Sequence, residues 1–181
     1  PPTTRFVREV SIAFAAFLEG APSVIPAGAA PWALDMARYE AAVMACHTAP
    51  APTEDPSVRP FAMELAPALG GAQRFVRARW SVHRAAAIDG EFALVVYRSP
   101  TTDAVEVLEL TPVAGDIFEA FLRGEQSVTV CAQAALAARG GAVEPVFIES
   151  FTGLLGDLLE RGIVVGGRAP QGKQSTSASP Y

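Results

Sequence analysis

Residues 73–110, QRFVRARWSVHRAAAIDGEFALVVYRSPTTDAVEVLEL, limit the possible folds of this chain most tightly. They carry strand periodicity and turn chemistry, whereas the other patterned segments have helical spacing. In 74–84 the even positions Arg74, Val76, Ala78, Trp80, Val82 and Arg84 are apolar in their middle. The odd positions Phe75, Arg77, Arg79, Ser81 and His83 place arginines on the other face, the pattern of a half-buried strand. Asp89-Gly90 is a turn signal, in a loop lengthened by residues 85–88. EFALVVYR, residues 91–98, is rich in β formers and nearly apolar on both faces, as a central strand would be. SPTTD, 99–103, has turn composition, and 105–110 supplies a third strand. A sheet this small has edges, and unpaired backbone at an edge can capture an extended peptide. Because the central strand is enclosed, a peptide would have to use 74–84 or 105–110.

Helices are expected on both sides of this stretch. Thr3 and Thr4 can cap a helix reaching about Leu18, with Phe6, Val10, Phe14, Phe17 and Leu18 inward and Gly20 as its stop. Pro31 can open a second, to about His47, with Trp32, Met36, Tyr39, Val43 and Cys46 or His47 on the core face. Asp35 and Arg38 then fall on the opposite face. Pro50, Pro52, Pro56 and Pro60 mark 48–60 as a linker, and FAMEL, 61–65, suits a short strand or a helix. Thr111-Pro112 starts a helix with Val113, Ile117, Phe118, Phe121 and Leu122 inward, and Ser127 caps another to about Arg139. Glu144-Pro145 starts a third, with Phe147, Ile148, Phe151, Leu154, Leu155, Leu158 and Leu159 inward, and Ile163–Val165 can return as a strand. The predicted class is α+β: N-terminal helices, a small mostly antiparallel sheet of three to four strands, and a C-terminal winged-helix-like helical lobe. The expected division is 1–59, 60–166 and a polar tail, 167–181, whose composition predicts disorder.

With 181 residues, half of them hydrophobic, the chain can build a real core. Its net charge of −5 argues against nucleic acid, because neutralising phosphates needs a basic surface. There is no apolar run of about 18 residues and no signal-peptide pattern. A cytoplasmic chain without a membrane partner, with Cys46 and Cys131 as free thiols, is therefore expected. His47 and His83 are the two histidines. Neither stands in metal-ligand spacing, and the adjacent Cys46 and His47 diverge by about 100° on a helix, so no metal site is expected. No G-x-S-x-G elbow, phosphate loop or G-x-G-x-x-G occurs. Asp35, Glu40, Glu106 and Glu109 show no pairing that would nominate a catalytic acid, and no catalytic residue is expected here.

The one concentration of charge is Arg74, Arg77, Arg79 and Arg84. It reads either as a solvated strand face or as a site for an acidic peptide or a subunit, since the planar guanidinium pairs carboxylates two at a time. The candidate peptide- or partner-binding set is Arg74, Phe75, Arg77, Arg79, Trp80, His83, Arg84, Tyr97 and Arg98.

The helix ALDMARYEAAVMACH is followed in order by FVRARWSV, LVVYR, VEVLELTPVAGDIFEAFLRGE and a helix ending LLERGIVVG. Over roughly residues 31–166 this order resembles a bacterial family of companions to TIM-barrel multinuclear iron proteins, a family also labelled as DNA-binding. With only one helix before Pro31-Trp32, the chain resembles the family's methanobactin-biosynthesis members in particular. The resemblance implies a non-catalytic subunit that joins an iron-containing TIM-barrel protein in a heterodimer. It would help hold the leader of a ribosomally made precursor peptide. The partner's iron would use dioxygen to convert core cysteines to an oxazolone with a neighbouring thioamide, giving a copper-binding peptide. No cofactor is then expected on this chain. The resemblance has no invariant motif, so it assigns no role to any residue. Two other readings stand beside it: a winged-helix DNA-binding regulator, and a stand-alone enzyme or scaffold. The regulator is disfavoured because SVTVCAQAALAAR, 127–139, holds one arginine with which to meet DNA.

Overall fold

A computed structural model describes residues 3–21, 24–26, 28–51, 53 and 55–170, with backbone only for 3–9. In chain order the elements are α1 (Thr3–Gly20), α2 (Ala33–His47), β1 (Ala66–Leu69), β2 (Gln73–Trp80), β3 (Asp89–Arg98), β4 (Val105–Leu110), α3 (Pro112–Arg123), α4 (Val128–Ala138), α5 (Pro145–Glu160) and β5 (Val164–Arg168). The class is α+β, with antiparallel pairing throughout. The strands form two separate sheets, β2-β3-β4 and β1-β5.

The compact units differ from the division expected at 59/60. One comprises Pro1–Pro52 and Gly71–Gly115, the other Thr53–Gly70 and Asp116–Tyr181. The three-stranded sheet thus belongs with the N-terminal helices. Residues 171–181, the greater part of the expected tail, lie outside the described residues, whereas Gly167 and Arg168 belong to β5.

In the first unit α2 packs on β2 and β3. Ala42 and Cys46 of α2 join Val76, Leu94 and Val96 in a buried cluster, flanked by half-buried Tyr39, Val43, Phe92, Val105 and Val107. The small side chains at 42 and 46 let the helix approach the sheet, and the Cys46 thiol donates to the Val96 carbonyl at 3.2 Å. The central position expected for 91–98 holds: Ala93, Leu94, Val95, Val96 and Tyr97 of β3 are all buried. Gly115, at the start of α3, is a close-approach residue, since a Cβ there would lie 2.5 Å from the Ala93 Cβ.

The expected stripes of α1 and α2 need correction. In α1, Ala15 and Leu18 are buried, while Val10, Phe14 and Phe17 are more than half exposed. In α2 the buried residues are Asp35, Ala41, Ala42, Ala45 and Cys46, and the larger Met36, Tyr39 and Val43 sit at the margin. Small side chains occupy the contact faces because they permit close backbone approach, so apolar bulk alone misplaces the faces.

In the second unit, α4 is capped as expected, with Ser127 Oγ accepting the Val130 N–H. Pro145 opens α5 from the Glu144 N-cap. Phe151, Leu155 and Leu158 are buried on α5, but Ile148 and Leu159, expected inward, are exposed. The helices α3, α4 and α5 are followed by β5, which pairs back to β1, a strand that precedes all three. Closing the ambiguous 61–65 segment at Pro67, as composition suggests, misses β1. Proline is tolerated there because its register partner Gly167 turns both its N–H and its C=O toward Arg59, leaving no ladder bond to ask of Pro67. Among the described residues no helix is long and apolar enough to cross a membrane.

Candidate functional site

The geometry of the three-stranded sheet decides which edge is open. The Arg98 N–H donates to the Ala72 carbonyl, and the Ser99 N–H to the Ala104 carbonyl. Backbone bonding alternates along a strand. Even-numbered residues of β3 therefore bond to β2, and Ala93, Val95 and Tyr97 bond to Leu110, Leu108 and Glu106 of β4. The backbone groups of Val105, Val107 and Glu109 point away from the sheet, and among the described residues no hydrogen bond engages them.

The opposite edge is capped by side chains of its own unit. The ladder shifts register between Ala78 and Trp80, where an irregularity leaves amides without strand partners. Asp35 Oδ2, reaching from α2, accepts the Arg79 N–H at 2.7 Å and the Trp80 N–H at 3.1 Å. Asp35 is buried, contrary to its expected place on the outer face of α2, and Arg38 lies 3.4 Å from its second oxygen. Further along β2, Arg74 Nη1 donates to the Gln73 carbonyl at 2.7 Å.

The nine nominated residues do not form one surface. Phe75, Arg77 and Tyr97 share the sheet face away from α2, while Arg74 and Arg98 fall on the α2 side. Arg77 lies over the Phe75 ring and 3.5 Å from Glu91. Arg79 forms two hydrogen bonds with Asp89, at 2.9 and 3.1 Å. Arg98 faces Asp103 and the carbonyls of His47 and Pro50, tying the end of α2 to the sheet. Tyr97, nominated for an accessible role, is buried, and its hydroxyl donates to Glu106 at 2.6 Å. Trp80 is half-buried, and its amide is held by Asp35. The arginines are thus built into ion pairs and carbonyl clamps, so the strand does not offer the bare cationic face that an acidic ligand would need.

His83 and Arg84 form the exception that reaches the open edge. Arg84 Nη2 donates to Glu109 Oε2 on β4 at 2.5 Å, and His83 Nε2 shares a hydrogen bond with the same oxygen at 2.7 Å. With a proton on Nε2 the ring donates to the carboxylate, and without one it accepts from the Arg84 Nε–H at 3.3 Å. Among the described residues the His83 Nδ1 is buried without a partner, and the side chain is 10% exposed. His83 meets Phe92 edge-on at 6.0 Å, and Arg84 lies over the same ring. The loop behind them is closed by Ser81, whose hydroxyl donates to the Ala86 carbonyl and accepts the Ile88 N–H. Partial burial raises the Glu109 carboxyl, but the hydrogen bonds from Arg84 and His83 outweigh it and hold the group below its ordinary range.

Neither thiol is poised for chemistry. Burial raises Cys46 against the opposing pull of Arg74 and Arg98, and it raises Cys131 against Arg123. Among the described residues no group of three His, Cys, Asp or Glu side chains could hold a metal ion.

No protein-family model matches this chain, and no curated protein matches it.

Proposed function

We propose that this chain is a peptide-binding, non-catalytic subunit that captures an extended segment along β4 by adding a strand to its sheet. The observation that carries this reading is the row of outward backbone groups on Val105, Val107 and Glu109, which no hydrogen bond engages among the described residues. Each incoming residue in register would exchange backbone hydrogen bonds there, while side chains set the register. The β2 edge is the weaker candidate, because Asp35 and Arg74 already occupy part of it.

The family resemblance supplies the identity of the peptide and the chemistry. The bound segment would be the leader of a ribosomally made, methanobactin-type precursor. Its core cysteines would be oxidised to an oxazolone and thioamide by iron held in a TIM-barrel partner. This chain's contribution would be tethering. A short flexible link between leader and core raises the local concentration of the core at the partner's iron to the order of millimolar.

The test uses the chain in complex with the barrel partner and a fluorescein-labelled leader peptide. The expected result is a 1:1 complex that binds the leader, with binding weakened at least about tenfold by Val107→Pro, which removes one outward donor. Unchanged leader affinity in that variant, or in the barrel subunit without this chain, would reject the reading.

A further inference from the structure

We propose that the strap formed by residues 81–88 sets the register of a peptide on β4, admitting apolar side chains beside Val105 and Val107 and requiring an uncharged hydrogen-bond donor beside Glu109. The inference rests on β4 being the docking edge.

On the α2 side of the sheet Val105, Val107 and Glu109 project together, two residues apart, opposite Arg98, Val96 and Leu94. Val105 and Val107 are half-buried against the Ala42–Cys46–Val76–Leu94–Val96 cluster, beside Tyr39 and Val43. A neighbouring strand would meet hydrocarbon at these two positions, and covering it is favourable. The third position differs. Glu109 Oε2 is filled by His83 and Arg84, and Oε1 makes no hydrogen bond among the described residues. An apolar side chain here would strip water from that oxygen and return nothing.

The cluster cannot easily swing aside. Ser81 pins the strap from both sides, and His83 and Arg84 are both seated on Phe92. Its charge also limits the partner. Arg84 already balances Glu109, so a second cation would meet Arg84 at close range, whereas Ser, Thr or Asn can donate to Oε1 without that repulsion. The class of ligand is therefore an extended segment with the one-face pattern apolar, apolar, hydroxyl or amide at alternate residues.

Fluorescein-labelled synthetic peptides of alternating Val and Thr test this on the full-length chain. Three Val positions form the reading face, and one is replaced by Ser either at an end or at the centre. The wild-type chain is expected to bind the end-Ser peptide about tenfold more tightly than the all-Val peptide, and the centre-Ser peptide most weakly. In the His83→Ala, Glu109→Ala double variant the all-Val peptide becomes the tightest. All-Val binding to the wild type as tight as end-Ser overturns the register stop while leaving the docking edge intact, and needs no variant to fold. Binding by no peptide, or binding indifferent to Val107→Pro, overturns both.

Discussion

The Asp35 carboxylate and the Trp80 amide, 45 positions apart in sequence, are joined by a 3.1 Å hydrogen bond, and the same oxygen accepts the Arg79 amide at 2.7 Å. One side chain thus fixes α2 against the irregular end of β2 and caps two strand amides. Removing it strands both donors in a part-buried setting. Asp35→Ala should lower stability by about 2–4 kcal/mol, given roughly 1–3 kcal/mol for each buried group left unsatisfied. Asp35→Asn, which keeps one accepting oxygen, should cost less. Urea denaturation of the three proteins checks the ranking, and equal midpoints would mean that the amides find other partners.

Gly115 should tolerate no side chain. A methyl group at this position would meet the Ala93 Cβ at 2.5 Å and Arg77 Nη1 at 3.4 Å, and Ala93 lies in the central strand with no room to retreat. Gly115→Ala is expected to destabilise by about 1–3 kcal/mol, as overpacking does. Gly153→Ala, at a position with open space around it, should do the reverse by up to about 1 kcal/mol, because alanine is the better helix former. Thermal melts of the two variants should move in opposite directions.

Acid should weaken the strap's anchor. The folded-state value of Glu109 lies below its ordinary one. Its contribution is therefore complete above the unfolded value, near about 4.3, and is lost as pH falls through the folded value. Asp55, lowered by Ser57, and Asp89, lowered by Arg79, titrate in the same sense, so the wild-type slope is shared. The Glu109→Gln variant should lose its own part of the stability change between about pH 5 and pH 3. A slope equal to wild type would show that the carboxylate contributes no linkage.

Both cysteines should be silent toward thiol reagents until the chain unfolds. Cys46 is fully buried and Cys131 nearly so, and burial raises both thiols, reducing the thiolate that reacts. Reaction with dithiobis-nitrobenzoate should follow the unfolding rate in urea, and a fast phase in buffer would contradict the core position of Cys46.

Local chemistry made much of the fold legible. The span 105–110, the Ser127 cap and the Pro145 start depend on neighbours within a few residues, the enclosure of 91–98 is written in its own apolar run, and the structure has them where expected. What stayed hidden depends on register or on distant partners. The arginines are conspicuous in sequence, but Asp89, Glu91 and Glu109 become their partners only once the hairpins are aligned. Asp35 has the spacing of a solvent-facing helix residue because the amides that bury it arrive from β2. Strand β1 is masked by Pro67, whose missing N–H matters only if the ladder needs it. The open edge lies between these cases. Its strand is readable, but which residues turn outward follows from the bonding parity of β3, and that parity required the structure.

Residue-resolved amide hydrogen exchange on β4, with and without a bound leader peptide, tests the docking edge most directly. Saturating peptide should slow exchange at Val105, Val107 and Glu109, whose amides face outward, and leave Leu108, already bonded to β3, little changed. A bound peptide that leaves the three outward amides exchanging as in the free chain would contradict strand addition at β4.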